Sequence, residues 1–343
     1  MSAHNPKAKT PAKSHTKCHG TVALITTPNF RDAHENDTVL QDFVYENLYP
    51  LCRHFDVLCT GSTYKLLSQI VEARLDQRAQ QLVSQGSEID VSRKSDQESW
   101  RRTINNSLTE LRPGFPGMIE VAYRLVEKRL NAVIHMTDWR DLPAKPDTAV
   151  VWREANVHDV PIATDIETAR AFIQAWRAAV PGLKGDDVLY TSSGYETSPL
   201  EGIDAGHRVL ALIAHDRMKL DLCRFAVEYS QTIFDNFDVI LATGTTGKWL
   251  REYMLARERS ADEIKRIRLC LSGPYGGDVQ IAYSVVSGLC KTVVFFQDPQ
   301  SAHPHEVDIR LFEQAAIDPE LSIRFATNRS GADLILPMKK SKK

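Results

Sequence analysis

The sequence predicts two tandem domains, each a three-layer α/β/α sandwich built on a mostly parallel sheet. Short apolar runs alternate with segments whose apolar residues recur every three or four positions, a pattern typical of doubly buried strands and their covering helices. One order of motifs also occurs twice along the 343 residues, a length sufficient for two domains. Both observations favour the α/β class with parallel βαβ units.

The strand-like runs form two sets, and all of them are short and mainly aliphatic. They lie at residues 22–25, 56–59, 132–135 and 161–164 in the first set, and at 209–213, 239–242, 292–296 and 323–326 in the second. Helical patterns separate the runs. One of them is the stripe of Cys223, Ala226, Val227, Ser230 and Ile233, which share one helix face at this spacing.

The two halves align through four motifs in the same order, which indicates an internal duplication. The matched segments are 59–63 with 242–246, 116–123 with 276–283, 136–138 with 296–298, and 162–165 with 325–328. The copies differ in the residue types that carry chemistry. Thr27-Pro28, or residues close to them, replace His215-Asp216, Met118 replaces Asp278, and no histidine follows Asp138 at the spacing of His305. We therefore expect the first copy to be a scaffold without catalytic groups.

The expected domain boundaries follow from these repeats and from composition. They are a disordered basic tail at 1–19, a first domain at 20–180 with a charged helical surface insertion at 72–110, a linker at 181–206, a second domain at 207–337, and a basic tail at 338–343.

Composition restricts the classes of partner. The 43% apolar and 25% charged residues are typical of a soluble globular protein, and the net charge of −2 gives no reason to expect nucleic acid or an anionic membrane. No apolar run approaches the roughly 20 residues that span a bilayer. The six cysteines contain no CxxC pair, so we expect reduced thiols and a cytoplasmic protein.

Five polar signatures in the second half each follow an apolar run. In an open parallel sheet, ligands bind beyond the carboxyl ends of the strands, so these signatures predict one pocket for a small phosphorylated molecule. They are His215-Asp216 with Lys219, the segment 243–247, the segment 272–278, Asp298 with His305 and Asp308, and the segment 326–328.

These signatures resemble the methylglyoxal synthase family in nearly all of residues 208–337. The matching motifs, in family order, are AHDRMK at 214–219, ATGTTG at 242–247, SGPYGGD at 272–278, FFQDP at 295–299, PHEVD at 304–308 and ATN at 326–328. Departures from the family are Tyr275, Gln297 in place of a usual tryptophan, extra residues between Thr246 and Ser272, and the attached second copy. The first half resembles the broader methylglyoxal-synthase-like domain only in outline.

The resemblance implies conversion of glycerone phosphate to methylglyoxal and inorganic phosphate, on a Rossmann- or flavodoxin-like sheet and without a cofactor. It also implies a homo-oligomer. Since the family forms hexamers of single domains, we expect three two-domain chains to form a six-domain ring.

The chemistry of the residues indicates how a phosphate would be held. Glycines let backbone N–H groups approach an anion, a helix start presents its positive end, and hydroxyls and a lysine add donors. The candidate binding residues are Thr243, Gly244, Thr245, Thr246, Gly247, Ser272, Gly273 and Lys219. The spacing is neither that of a P-loop nor that of a dinucleotide-binding fingerprint.

The proton-transfer residues are assigned through the resemblance. Asp278 is the candidate base, although an aspartate after two glycines also suits a helix N-cap. His305 and His215 would contact the carbonyl and hydroxyl oxygens, and Asp308 would orient His305 or share the proton transfer. Two further aspartates keep two interpretations each: Asp216 caps a helix or supports the pocket, and Asp298 shapes its loop or joins the pocket. The pair His303 and His305 lacks further ligands at metal spacing, so no metal is expected.

Two other functions remain open at this stage. A non-catalytic sensor of a phosphorylated metabolite would need the threonines and the lysine but not the full set of Asp278, His305 and Asp308. A nucleotide-binding oxidoreductase is disfavoured because the glycine fingerprint is missing.

Overall fold

A computed structural model describes residues 20–34, 38–84, 91–138, 140–141, 146–179, 198–300, 306–318 and 320–336. These residues contain two five-stranded sheets in which every strand pair is parallel. The tails at 1–19 and 338–343 and most of the predicted linker, 181–197, lie outside the described residues.

The first sheet has the strand order β3-β2-β1-β4-β5, and the second has the order β10-β9-β6-β7-β8. If the strands of each sheet are numbered 1 to 5 along the chain, both sheets have the order 3-2-1-4-5, the second when it is read from β8 to β10. The strands are β1 Thr21–Thr26, β2 Asp56–Cys59, β3 Leu108–Glu110, β4 Ala132–Met136, β5 Ile162–Ala163, β6 Val209–Ala214, β7 Val239–Ala242, β8 Ile267–Leu269, β9 Cys290–Phe296 and β10 Arg324–Ala326. The strand order reverses between β1 and β4 and between β6 and β9, where ligands bind in sheets of this kind.

Helices connect the strands and cover both faces of each sheet. Those of the N-terminal domain are α1 Pro28–His34, α2 Thr38–His54, α3 Gly61–Ser84, α4 Val91–Ser107, α5 Phe115–Val126, α6 Pro146–Val157 and α7 Ile166–Ala179. Those of the C-terminal domain are α8 Lys219–Glu228, α9 Ser230–Asn236, α10 Gly244–Leu255, α11 Ala261–Lys265, α12 Gly277–Val286, α13 Glu306–Ile317 and α14 Arg329–Ile335. No helix among the described residues has the length and apolar character needed to cross a bilayer.

The predicted fold of two α/β/α domains with parallel sheets is confirmed, with differences at the edges of the sheets. All eight predicted runs are strands, but β3 and β8 were not among them. Each is a three-residue edge strand with a charged residue, Glu110 or Arg268, so neither shows a continuous apolar run.

The stretch 72–110 is not the surface insertion that its charge suggested. Its described residues are largely helical, but the last three form β3, and Ile104 of α4 is only 1% exposed in the core. Trp100 stacks on Tyr49 of α2, with ring centroids 6.2 Å apart. The many charged residues of α4 obscure, in the sequence, the apolar residues by which this helix packs on the core.

The two domains share one apolar core. Helices α5 and α6 on the first sheet pack against α12 and α13 on the second, and buried side chains of both sheets and all four helices form a continuous cluster. Within this contact, Tyr123 stacks on Tyr283 with ring centroids 3.8 Å apart and planes within 3°. These two tyrosines are aligned residues of the duplication. Contact between equivalent residues is the signature of a two-fold interface, so the domains pack as a pseudo-symmetric pair.

Candidate functional site

The imidazole of His215 is fixed at the switch point of the second sheet. His215 directly follows β6 and is 8% exposed. The backbone N–H of Asp298, beyond the end of β9, donates to His215 Nδ1 at 2.8 Å. Because Nδ1 accepts this bond, the neutral ring carries its proton on Nε2. The ring packs edge-on against Phe295, 4.9 Å between centroids, so Nε2–H is a positioned donor.

Lys219 begins α8, four residues after His215. Its Nζ lies 2.5 Å from Asp216 Oδ1, and its side chain is 12% exposed whereas that of Asp216 is 92% exposed. The ammonium is therefore largely covered, while its partner carboxylate faces solvent. An exposed carboxylate contributes little through such a pair, so Asp216 is a weak tether for Lys219.

The turn after β7 brings hydroxyl groups to the start of α10. Thr243 is the residue before the helix, and its Oγ1 donates to Thr246 Oγ1 at 3.3 Å. Thr243 is 6% exposed and Thr246 is fully buried. The N–H groups of Gly244 and Gly247 are already bonded, to Leu271 O at 2.9 Å and to Thr243 O at 2.7 Å.

The two glycines of this turn serve close packing. A Cβ on Gly244 would lie 3.1 Å from the backbone nitrogen of Ser272, and one on Gly247 would lie 2.3 Å from Leu269 Cδ2. We expected both glycines to bring backbone N–H groups to an anion. Their own N–H groups are not the donors; Gly244 instead lets the turns after β7 and β8 approach each other.

The turn after β8 places Asp278 at the start of α12. Gly276 precedes this helix in the left-handed conformation, φ +95°, and a Cβ on Gly277 would lie 2.0 Å from Leu271 O, so neither position tolerates a side chain easily. Asp278 is the second residue of α12 and is 4% exposed.

The negative charge of Asp278 acts on its neighbour at the end of β8. Burial raises the pKa of the Cys270 thiol, and the carboxylates of Asp278 and Glu127 raise this pKa further. Asp278 is thus a buried acidic group close to the strand end.

Asp298 holds the loop after β9 through hydrogen bonds. Besides the N–H bond to His215, its Oδ1 accepts from the N–H of Gln300 at 2.9 Å, so this residue shapes the loop. Its side chain is 8% exposed. At the next strand end, Asn328 caps α14 by accepting from the N–H of Gly331 at 2.9 Å.

Two predicted catalytic residues cannot be placed in this geometry. His305 and its neighbour His303 lie outside the described residues. The backbone of Asp308 is the third residue of α13, but its side chain also lies outside them. Both assignments therefore stay predictions. The remaining predicted residues all follow β6, β7, β8 or β9 at one edge of the sheet.

The N-terminal domain contacts the turn that precedes Asp278, which sequence reasoning missed. Arg153 of α6 donates from Nη2 to Pro274 O at 2.6 Å. Glu154, fully buried, has its Oε2 3.0 Å from the position that a Cβ on Gly276 would take. No sequence pattern marks Arg153 or Glu154, because both lie far along the chain from Asp278 and in an ordinary helix.

Gln280 is a second residue that sequence reasoning missed. Its Oε1 accepts from the N–H of Leu271 at 2.7 Å, and its Nε2 donates to Glu127 Oε1 of the N-terminal domain at 2.6 Å. Gln280 and Glu127 are both buried. The amide thereby fixes the end of β8 to the other domain, and a buried bond to a carboxylate is strong.

Comparison with known proteins gives a consistent set of relatives, although no family model matches the chain. A methylglyoxal synthase of Clostridium botulinum (strain Alaska E43 / Type E3) is 39% identical over 127 residues, 37% of this chain and 96% of that protein. Methylglyoxal synthases of Cupriavidus pinatubonensis and Agrobacterium fabrum are 38% and 37% identical, over 37% and 38% of this chain and 88% and 94% of theirs. The crystal structure of a methylglyoxal synthase from Elizabethkingia anophelis NUHP1 is 30% identical, covering 38% of this chain and 78% of that one with a TM-score of 0.33.

Proposed function

Because this chain belongs to the methylglyoxal synthase family, we propose that its C-terminal domain converts glycerone phosphate (dihydroxyacetone phosphate) into methylglyoxal and inorganic phosphate. The activity is that of a carbon–oxygen lyase. One observation carries the proposal: the buried carboxylate of Asp278 lies at the same sheet edge as the imidazole of His215 and the covered ammonium of Lys219. The relatives align over 127 to 131 residues, about the length of the domain that holds the family motifs.

The phosphate of the substrate is bound between the turns after β7 and β8. Since the N–H groups of Gly244 and Gly247 are engaged, the donors at the positive end of α10 are the N–H group and hydroxyl of the exposed Thr245, while the buried Thr246 holds the turn through its bond to Thr243. Ser272 and Gly273 add donors from the neighbouring turn. Lys219 supplies a compact positive charge, which suits a phosphate dianion.

Asp278 removes a proton from the hydroxyl-bearing carbon next to the carbonyl, and the electron pair moves to the carbonyl oxygen to form an enediolate. His215 Nε2–H donates a hydrogen bond to the charge that develops on oxygen, a form of stabilisation that is strong in a buried site. His305 and Asp308 are assigned to the same proton transfers on the strength of the family motif alone.

The enediolate then expels phosphate. The hydroxyl oxygen on the carbon that lost its proton gives up its own proton and forms a carbonyl, the carbon–carbon double bond shifts toward the phosphate-bearing carbon, and the carbon–oxygen bond to phosphate breaks with its electron pair leaving on phosphate. The former carbonyl oxygen takes up a proton, and the resulting enol becomes methylglyoxal by proton transfer to the terminal carbon. This step needs the breaking bond to stand perpendicular to the enediolate plane. Rigid binding of the phosphate provides that alignment and suppresses isomerisation, in which the phosphate stays in the plane. No step requires a cofactor.

The test is an assay of the purified full chain with glycerone phosphate. We expect release of methylglyoxal and inorganic phosphate in equal amounts. Binding of glycerone phosphate without release of either product would contradict the proposal and favour a sensor.

We further propose that three chains assemble into a ring of six domains. The pseudo-symmetric packing of the two domains around Tyr123 and Tyr283 supports this proposal, because two domains joined in one chain take the place of two separate subunits. Light scattering should give the mass of a trimer; a monomer, or a particle of six chains, would contradict it. The cytoplasmic location stays a prediction.

A further inference from the structure

The N-terminal domain contains a cavity of about 250 Å³ at the carboxyl ends of β1 and β2. We call it the N-terminal cleft; Thr27, Arg31, Thr60, Ser62, Met118 and Asp147 are among the residues that line it. It lies at the edge of the first sheet that corresponds to the candidate catalytic edge of the second. Nothing in the proposed reaction uses it.

Backbone hydrogen bonds show that the cleft is the counterpart of the catalytic pocket. The N–H of Asp138 donates to Thr27 Oγ1 at 3.1 Å, and the N–H of Asp298 donates to His215 Nδ1 at 2.8 Å. Asp138 and Asp298 are aligned residues of the duplication. Thr27 therefore occupies the position of His215, which the sequence alignment located only approximately.

This correspondence places a positive charge in the cleft. Arg31 follows Thr27 by four residues, as Lys219 follows His215. Arg31 is half-buried, and its Nη1 donates to Thr26 O at 2.8 Å. Burial lowers the pKa of this guanidinium, but an arginine still stays protonated at neutral pH. Its planar set of donors suits a phosphoryl group.

The hydroxyl groups at the next strand end are also retained. Thr60 Oγ1 lies 3.0 Å from Thr63 Oγ1, the same pairing as in Thr243 and Thr246. Ser62 lies at the start of α3, in the position of Thr245. The cleft thus keeps a cation, hydroxyls and a helix start, the groups that hold an anion in the proposed catalytic pocket.

The groups that would transform a ligand are replaced. Met118 occupies the position of Asp278, and Thr27 that of His215. A thioether and a hydroxyl cannot serve as base and imidazole donor, so a bound molecule would be retained unchanged.

The remaining walls indicate what else the ligand carries. Asp147 and Thr148 at the start of α6 can bond ligand hydroxyls, while Phe115 and Met118 provide an apolar surface for carbon atoms. Gln314 of α13 closes the cleft from the C-terminal domain. The cavity is smaller than the roughly 300–1,000 Å³ of sites for drug-sized ligands, so it suits a small metabolite. We infer that the N-terminal cleft binds a small phosphate monoester bearing hydroxyl groups and does not convert it.

The test is calorimetric titration of the full chain with sn-glycerol 3-phosphate, a hydroxylated phosphate monoester without a carbonyl that either site could enolise. Wild type should bind two molecules per chain. Arg31→Gln should weaken one site about 10–100-fold, the loss expected for a charged hydrogen bond, and leave the other unchanged. Lys219→Gln should weaken the other site only.

A second variant addresses the possibility that Arg31→Gln perturbs folding. Ser62→Asp places a carboxylate in the first turn of α3, where the helix dipole favours it, but the charge repels phosphate. It should remove the same site as Arg31→Gln. The inference is overturned if wild type binds one molecule that only Lys219→Gln weakens, or if Arg31→Gln and Ser62→Asp both titrate as wild type. Failure of the proposed activity would show separately, as two intact sites without methylglyoxal release.

Discussion

The two domains share a strand order and a pattern of strand-end hydrogen bonds, yet their pockets differ in a few side chains. In both, an aspartate N–H fixes the first pocket side chain, and a pair of threonine hydroxyls starts the following helix. The C-terminal pocket adds an imidazole and a buried carboxylate. The carboxyl edge of each sheet therefore supplies anion binding by its geometry, while reactivity depends on the residues placed on that edge.

The domains also depend on each other. Arg153 and Glu154 of the N-terminal domain contact the turn that carries Asp278, and Gln314 of the C-terminal domain lines the N-terminal cleft. Each domain therefore contacts a turn or a cleft at the sheet edge of the other. This reciprocity follows from the pseudo-two-fold packing, because α6 and α13 are equivalent helices.

The largest expected effect comes from making the catalytic pocket resemble the cleft. Asp278→Asn removes the base but keeps the size of the side chain, so we expect kcat to fall about 10²–10⁴-fold with little change in sn-glycerol 3-phosphate binding. Steady-state assays and titration measure the two quantities. The control is Asp262→Asn, which changes a carboxylate that is 92% exposed and pairs with Lys265 on the surface. Activity of Asp278→Asn near that of the control would remove Asp278 as the base.

The second prediction concerns the packing that joins the domains. Tyr283→Ala removes a partly buried aromatic ring that packs against the interdomain core and should lower the free energy of unfolding by about 3 kcal/mol, the lower end of the range for large-to-small aromatic changes. Tyr123→Ala should act similarly. Urea unfolding of both variants and of the double variant should give a coupling energy of about 0.5–1.5 kcal/mol. Strict additivity would show that the stacked contact contributes nothing specific.

The third prediction separates binding from chemistry in the catalytic pocket. Lys219→Gln removes the covered positive charge, and kcat/KM for glycerone phosphate should fall about 10–100-fold through loss of a charged hydrogen bond. Lys265→Gln, at an exposed lysine paired with Asp262, is the matched control and should stay near wild type. An unchanged kcat/KM in Lys219→Gln would exclude this lysine from phosphate binding.

The smallest expected effect is a pH dependence of stability, and it tests a difference between the equivalent strands β4 and β9. His135 of β4 is fully buried where β9 has Phe295, and burial lowers the pKa of His135 to about 3, with Asp141 opposing the shift. The ordinary pKa of histidine is about 6.5, so the buried neutral ring contributes fully to the free energy of unfolding above that pH. This contribution is lost as the pH falls from about 6.5 toward 3, by at most about 1.4 kcal/mol per pH unit.

Replacing His135 with phenylalanine, the residue of the other domain, should remove this slope. Urea unfolding at several pH values between 7 and 4 measures it for wild type and His135→Phe. Trp152 Nε1 donates to His135 Nδ1 at 3.1 Å, so the variant also loses one hydrogen bond at every pH. Parallel pH dependence in the two proteins would contradict the assignment to His135.

The sequence by itself determined the features that depend on local pattern. Eight strands followed from short apolar runs, since a strand buried on both faces must be apolar at successive positions. The duplication and the polar strand ends followed from motif order, and they placed Asp278, His215 and Lys219 at one edge of a sheet. The alignment even paired Tyr123 with Tyr283 as equivalent residues.

Tertiary structure alone decided what depends on distant partners. The edge strands β3 and β8 exist because a neighbouring strand pairs with them, although each has only three residues and one of these is charged. Gln280 bonds Glu127 across 153 positions and Arg153 bonds Pro274 across 121, separations at which no periodicity operates. Contacts between domains arise from packing of whole surfaces, and the pattern of residues along the chain does not predict which surfaces meet.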